Sequence, residues 1–284
     1  MKILITGANG QLGKCLSQTL REEGHVVLTY SKEQLDITNR NQIREIIQKL
    51  KPELIINSAA FTKVDLCEKE IEKAYVINGI GPYYLAAESK EENIKFLHIS
   101  TDYIFAGDQF SPYEEESQAV PKNIYGKSKR LGEELALVFG GDVTIIRTSW
   151  LYGHGGDNFV NTIKTLSERL DKIDVVDDQF GSPTYTKDLV NVIKELITMP
   201  SGIYHVTNSG SCSWYEFARE IIKFLKKDTV ITPISTRDYG SKTPRPLYSV
   251  LSNKKLNSTG IYVRNWKEGL YEYLEKECIY KYED

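Results

Sequence analysis

The feature that most restricts this chain is a glycine-rich turn set directly behind its first apolar run. Lys2–Thr6 reads as a strand, and Thr6-Gly7-Ala8-Asn9-Gly10-Gln11-Leu12-Gly13 follows at once and opens a helical stretch. A strand, a tight turn and a helix in that order form a seat for a dinucleotide. Gly7 permits the turn, Gly10 lets backbone approach a pyrophosphate, and Gly13 lets helix and strand pack closely. The helix amino terminus behind them offers unpaired N–H groups to an anion.

Beyond the turn, short Ile- and Val-rich runs alternate with amphipathic stretches, the rhythm of βαβ units around a parallel sheet. The expected strands are Lys2–Thr6, Val26–Tyr30, Leu54–Asn57, Lys95–Thr101, Val143–Thr148 and Ile173–Val176. Ile43, Ile46, Ile47 and Leu50 form the stripe of a crossover helix. The expected fold is α/β, a Rossmann-type doubly wound parallel sheet in the dinucleotide-binding strand order, with a smaller carboxyl-terminal substrate lobe. Residues 1–150 make the dinucleotide-binding domain, with 172–200 returning to it, and 151–284 are mainly the substrate-binding lobe. That lobe is expected to hold helices near Asn158–Arg169 and Trp214–Lys226 and a strand near Ile203–Val206. The last residues, Lys281–Asp284, read as a frayed end.

Composition narrows the partner. Thirty-six Lys and Arg against 39 Asp and Glu give a net charge of -3. No basic surplus is available for a nucleic-acid backbone, so a small molecule is expected. No signal-peptide pattern opens the chain, and no apolar run is long enough to span a bilayer. The expectation is a cytoplasmic protein with neither nucleic-acid nor membrane partners. Cys15, Cys67, Cys212 and Cys278 are scattered, and the four histidines are solitary. Free thiols and no catalytic metal are expected, with His98, inside an apolar run, a core residue.

The spacing G-x-x-G-x-x-G resembles the short-chain dehydrogenase superfamily and directs attention to a tyrosine–lysine pair. Tyr125 and Lys129 stand four residues apart, on one face of a helix. Reducing a ketone by hydride leaves an alkoxide oxygen that needs a proton, and a phenol beside it can supply one. Lys129 is expected to lower the phenol's pKa and to hold the nicotinamide ribose. Thr101, ending a strand, is the third candidate. Strand alternation allows either Thr101 or neighbouring Ser100 to face the crevice. The absence of an acid at Tyr30-Ser31-Lys32 points to NADPH, with NADH also accepted.

The strings TGANGQLG, NSAAFTKVD, STDYIF, NIYGKSK, RTSWLYG and DQFGSPT, and the later Arg245–Leu251, together resemble the reductase family of dTDP-rhamnose synthesis. The resemblance implies Thr101, Tyr125 and Lys129 as catalytic residues. It makes Gly10, Gln11 and Leu12 the pyrophosphate contacts, Asp36 and Ile37 the adenine contacts, and Ala60, Phe61 and Thr62 the cofactor wall. Thr62, Val64, Thr101, Asp102 and Trp150 become substrate contacts. Asp36 read alone is equally a helix cap, Trp150 equally core, and Arg147 either a phosphate ligand or the partner of a carboxylate. Ser58 departs from the family's usual alanine. The implied reaction is NAD(P)H-dependent reduction of dTDP-4-dehydro-β-L-rhamnose, with Tyr125 as proton donor. Rivals are another nucleotide-sugar reductase or epimerase, or a non-catalytic NAD(P)-binding regulatory subunit. Some family members dimerise through a metal held by glutamates. No such ligands are identified here, and a homodimer is left open.

Overall fold

Five of the apolar runs are strands in the computed structural model, which describes residues 1–280: Lys2–Thr6 (β1), Val26–Tyr30 (β2), Leu54–Asn57 (β3), Lys95–Thr101 (β4) and Val143–Thr148 (β5). The side chain of Cys278 and the tail Lys281–Asp284 lie outside the described residues. The strands pair in parallel in the order β2-β1-β3-β4-β5, and Gly202–His205 adds a sixth strand beside β5. Alternation along β1 sends Ile3 and Ile5 to one face and Leu4 to the other. Ile3 and Ile5 pack under Leu12, Leu16 and Leu20 of α1 (Gln11–Glu22) and Leu189, Ile193 and Leu196 of the helix Thr186–Leu196. Leu4 packs under Ile43 and Ile47 of α2 (Arg40–Leu50). Two short helices, α3 (Val64–Cys67) and α4 (Ile71–Tyr75), lead through the π-helical turn Val76–Ile80 into α5 (Gly81–Glu91). After β4, α6 (Ile124–Phe139) adds Ala136 to the Leu4 face.

Two expectations are corrected. The strand order differs from the dinucleotide-binding order because β3 lies across β1 from β2. No strand forms between β2 and α2: Asp36 accepts hydrogen bonds from the backbone N–H and hydroxyl of Thr38, at 2.9 and 2.7 Å, and its own N–H donates to Gln42. That loop runs straight into α2, whose cap is Asn39 rather than Asp36. The switch in strand order therefore falls between β1 and β3, and the crevice opens above their carboxyl ends.

The second correction is the sixth strand. Lys172–Val176 pairs not with the large sheet but in parallel with Val230–Ile234. Ile173 and Val175 are buried while Lys172 and Asp174 are exposed, the alternation of a ribbon covered on one face. Its cover is a second core of Val160, Ile163, Phe217, Ile221 and Leu270, drawn from the helices Phe159–Ser167, Trp214–Leu225 and Trp266–Tyr280. The chain returns to the large sheet through Thr186–Leu196, within 172–200, and then through Gly202–His205 just beyond it. Among the described residues no helix is long and apolar enough to cross a membrane.

Candidate active site

Above the ends of β1 and β3 lies a crevice of about 940 Å³ that gathers the glycine turn, the tyrosine–lysine pair and Trp150. Gly7 sits at φ +68°, where a side chain would come within 2.6 Å of the Ala59 nitrogen. A side chain at Gly13 would meet the Gly7 carbonyl at 2.3 Å. The end of α1 is thereby drawn tight against the turn. Gly10 caps α1 without a side-chain acceptor, and Gln11, Leu12 and Gly13 line the crevice beside it. This cradle, closed to a Cβ and headed by first-turn N–H groups, fits a dinucleotide's diphosphate. The Gln11 side chain is engaged elsewhere: it donates to the Asp157 carbonyl and accepts from Asn158, both at 3.0 Å. Lys14 donates to the Gly155 carbonyl at 2.9 Å, so the loop 153–158 is fastened over the turn.

Asp36 and Ile37 line one end of the crevice, and Ala60, Phe61, Thr62 and Val64 its wall. Asn78, in the π-helical turn, holds that wall by accepting from the Phe61 N–H at 2.7 Å and donating to its carbonyl at 3.0 Å.

Asn123 caps α6 by accepting from the Gly126 N–H, and Gly126 lets the helix close on the Tyr103 carbonyl, which a Cβ would meet at 2.1 Å. This brings Tyr125 to the end of β4. Thr101 donates to Asp102 at 3.0 Å, and Asp102 accepts from Ser249 at 2.5 Å. Asp102 thus stands in the crevice wall with its carboxylate oxygens turned to Thr101 and Ser249. Burial pushes its carboxyl up to about 6 against those two hydrogen bonds. Ser100 also lines the crevice beside Thr101, and its buried hydroxyl has no partner.

Burial also raises the Tyr125 phenol, opposed by a hydrogen bond with Thr101. This reverses the expected lowering by Lys129. The Lys129 ammonium nitrogen lies 2.6 Å from the Ile99 carbonyl and 3.2 Å from His98 Nε2, turned into β4 rather than spent on the phenol. Burial brings Lys129 down to about 8.

At the far end Trp150 adopts φ +46° and stacks on Trp214, with ring centroids 3.5 Å apart and planes 6° from parallel. Gly181 makes room for it, since a Cβ there would lie 2.4 Å from the indole. Arg245 reaches the same crevice, bonded to the Tyr103 hydroxyl at 3.3 Å and to Asp65. Arg147 is settled as the partner of a carboxylate: it is buried and bonded to Glu133 at 2.8 Å.

The family model described as the RmlD substrate binding domain matches residues 1–279. This chain belongs to that family. The spore coat polysaccharide biosynthesis protein SpsK of Bacillus subtilis is 51% identical over 275 residues, 97% of each chain. A dTDP-4-dehydrorhamnose reductase of Aggregatibacter actinomycetemcomitans is 39% identical, over 95% of this chain and 97% of its own length. The crystal structure of dTDP-4-dehydrorhamnose reductase from Bacillus anthracis in complex with NADP superposes with a TM-score of 0.95 at 44% identity, covering 97% of this chain and all of that one.

Within this reductase family member, two crevice residues and one that braces its wall escape a motif-based reading. Trp214 lies some sixty residues beyond Trp150, although the capping box of Ser213 and Glu216 marks its helix start. Asn78 sits in an irregular turn without a recognisable pattern. Glu33, on the crevice rim, accepts from the Ser31 hydroxyl at 2.6 Å and so places near β2 the carboxylate that Tyr30-Ser31-Lys32 lacks.

Proposed function

We propose that this chain reduces dTDP-4-dehydro-β-L-rhamnose to dTDP-β-L-rhamnose, with NADPH or NADH seated on the glycine turn. The nicotinamide cofactor supplies the hydride when bound. Tyr125 donates the proton to the C4 oxygen. The observation that carries this reading is a buried phenol, raised in pKa and bonded to Thr101, in the same crevice as the dinucleotide cradle. The phenol keeps its proton until an alkoxide develops beside it and draws that proton across, the donor role that reduction requires. Asp102, steadied by Ser249, accepts the hydrogen bond of the Thr101 hydroxyl and so fixes that hydroxyl beside Tyr125. The Trp150–Trp214 pair offers a flat apolar wall to the sugar or base.

Tyr103 follows Asp102 where a dehydratase needs a second acid, which argues against dehydration. The reading sets the reaction in the cytoplasm, its product feeding polysaccharide synthesis, the process in the name of the Bacillus subtilis relative.

The test is oxidation of NADPH and of NADH with enzymatically generated dTDP-4-dehydro-L-rhamnose. Stoichiometric dTDP-rhamnose is expected. Tyr125→Phe should retain cofactor binding and lose activity by about 10²- to 10⁴-fold. Absence of oxidation with either cofactor would exclude the named sugar and shift attention to other nucleotide-linked 4-keto sugars.

A further inference from the structure

The reaction above gives no task to His98, a fully buried ring lying between Asn57 and Lys129. Its tautomer follows from its neighbours. Asn57 Oδ1 accepts from the Ala59 backbone N–H at 3.1 Å and from the Thr6 hydroxyl at 2.6 Å. A backbone N–H can only donate, so the amide oxygen of Asn57 faces Ala59 and its Nδ2 faces His98 Nδ1, 2.9 Å away. Nδ1 therefore accepts, and the single ring proton of a neutral histidine sits on Nε2. That N–H points at the Lys129 nitrogen, 3.2 Å away.

An ammonium has three donors and no lone pair, so it meets His98 donor to donor. A neutral amine accepts the Nε2 hydrogen and still donates to the Ile99 carbonyl at 2.6 Å. Protonating His98 gives no relief, since Nε2 stays a donor and Nδ1 becomes one against Asn57, and burial and then Lys129 hold its pKa well below the usual histidine range. Thr6, Asn57, His98 and Lys129 are all buried, so solvent screens none of these contacts.

We propose that His98 is a positioning residue that presents a hydrogen-bond donor to Lys129 and so favours its neutral amine over the ammonium, a preference that an anionic cofactor reverses. Cofactor binding then loads a proton from solvent onto the fraction of Lys129 that carries the neutral amine, and the ammonium turns from His98 toward the crevice. Reduction of a ketone consumes one proton, and this step brings one into the site before chemistry.

The other charges around Lys129 fit this assignment. Glu133, one turn along α6, favours the ammonium but is clamped by Arg147 from β5 and Arg130. Asp102 and Tyr103 after β4 act on Tyr125. Glu88 of α5 is held by Arg40 and Arg44. From β1 and β3 come Thr6 and Asn57, which do not titrate.

The proposal rests on the crevice as a cofactor seat and not on the identity of the sugar. Its test is calorimetry of NADPH binding in buffers of different ionisation enthalpy, across a pH range bracketing the value of about 8 to which burial brings Lys129. Wild type should take up protons on binding, and Lys129→Met should take up none. In His98→Gln the side-chain oxygen can accept from the ammonium, so the midpoint of uptake should move up by about one to two pH units. A merely structural role would lower the melting temperature of His98→Gln and leave the midpoint in place, overturning the proposal. Long-range ¹⁵N spectra of wild type need neither ligand nor variant: a protonated Nε2 and bare Nδ1 on His98 are expected, and the opposite tautomer would also overturn it. If wild type failed to bind NADPH, the cofactor reading would fall, and the tautomer alone would decide the role of His98.

Discussion

Replacing Lys129 with methionine should make the protein more stable and inactive at once. A fall from the ordinary 10.5 to about 8 means that the folded state opposes the ammonium by about 3 kcal/mol, at ~1.4 kcal/mol per pH unit. Methionine fills similar space without a charge, but it leaves the Ile99 carbonyl without its lysine donor, costing ~1 kcal/mol. The net gain near pH 7 is about 2 kcal/mol, or roughly 4–8 °C in melting temperature for a chain of this size. The pH dependence is the sharper signature. Because the folded-state pKa lies below the unfolded one, the wild-type cost is complete below about pH 8, shrinks as pH rises through that value, and is gone above about 10.5. Urea unfolding of both proteins at neutral and strongly alkaline pH measures it. Equal stability near pH 7, or a difference that does not change with pH, would refute the assignment of Lys129 as a strained buried cation.

Gly13→Ala places a methyl 2.3 Å from the Gly7 carbonyl, so the turn must open; a loss of about 1–3 kcal/mol in unfolding free energy is expected, with NADPH binding weakened in fluorescence titration. Glu33→Gln removes an anion from the crevice rim, and the ratio of kcat/KM for NADPH over NADH should rise severalfold as repulsion of the 2′-phosphate is relieved. Trp214→Ala strips the partner from Trp150; steady-state kinetics should show KM for the nucleotide sugar rising roughly three- to tenfold, the scale of one aromatic pair, with KM for the cofactor unchanged.

Where the sequence is informative, a local pattern has one physical meaning. A strand running into closely spaced glycines leaves few alternatives to an anion seat, and β1 with its turn follows that pattern. The stripe of Ile43 and Ile47 likewise determines a helix face. The sixth strand escapes such reading because Ile173–Val176 and Ile203–Val206 are both short and apolar, and a strand's partner is set by chain segments far away. The reversal at β3 is hidden for a related reason: Asp36 holds a loop through side-chain hydrogen bonds where another chain would add an edge strand. The tyrosine–lysine spacing places both residues on one helix, but not the direction of the amine, which depends on His98 thirty-one residues earlier. Spacing conveys the attraction between the Lys129 charge and a phenolate at Tyr125, yet the larger cost of burying both groups arises only when β4 and α6 close on them.

The fastening of loop 153–158 over Gln11 and Lys14 makes the two ends of the crevice mechanically one object. The same short stretch that follows Trp150, with its left-handed backbone, also latches the diphosphate cradle before entering the helix Phe159–Ser167. Strain that breaks those hydrogen bonds at the cradle is carried along the same stretch to Trp150 at the other end. Through that shared stretch, thermodynamic reciprocity requires that whatever factor a ligand at one end adds to affinity at the other is returned in full.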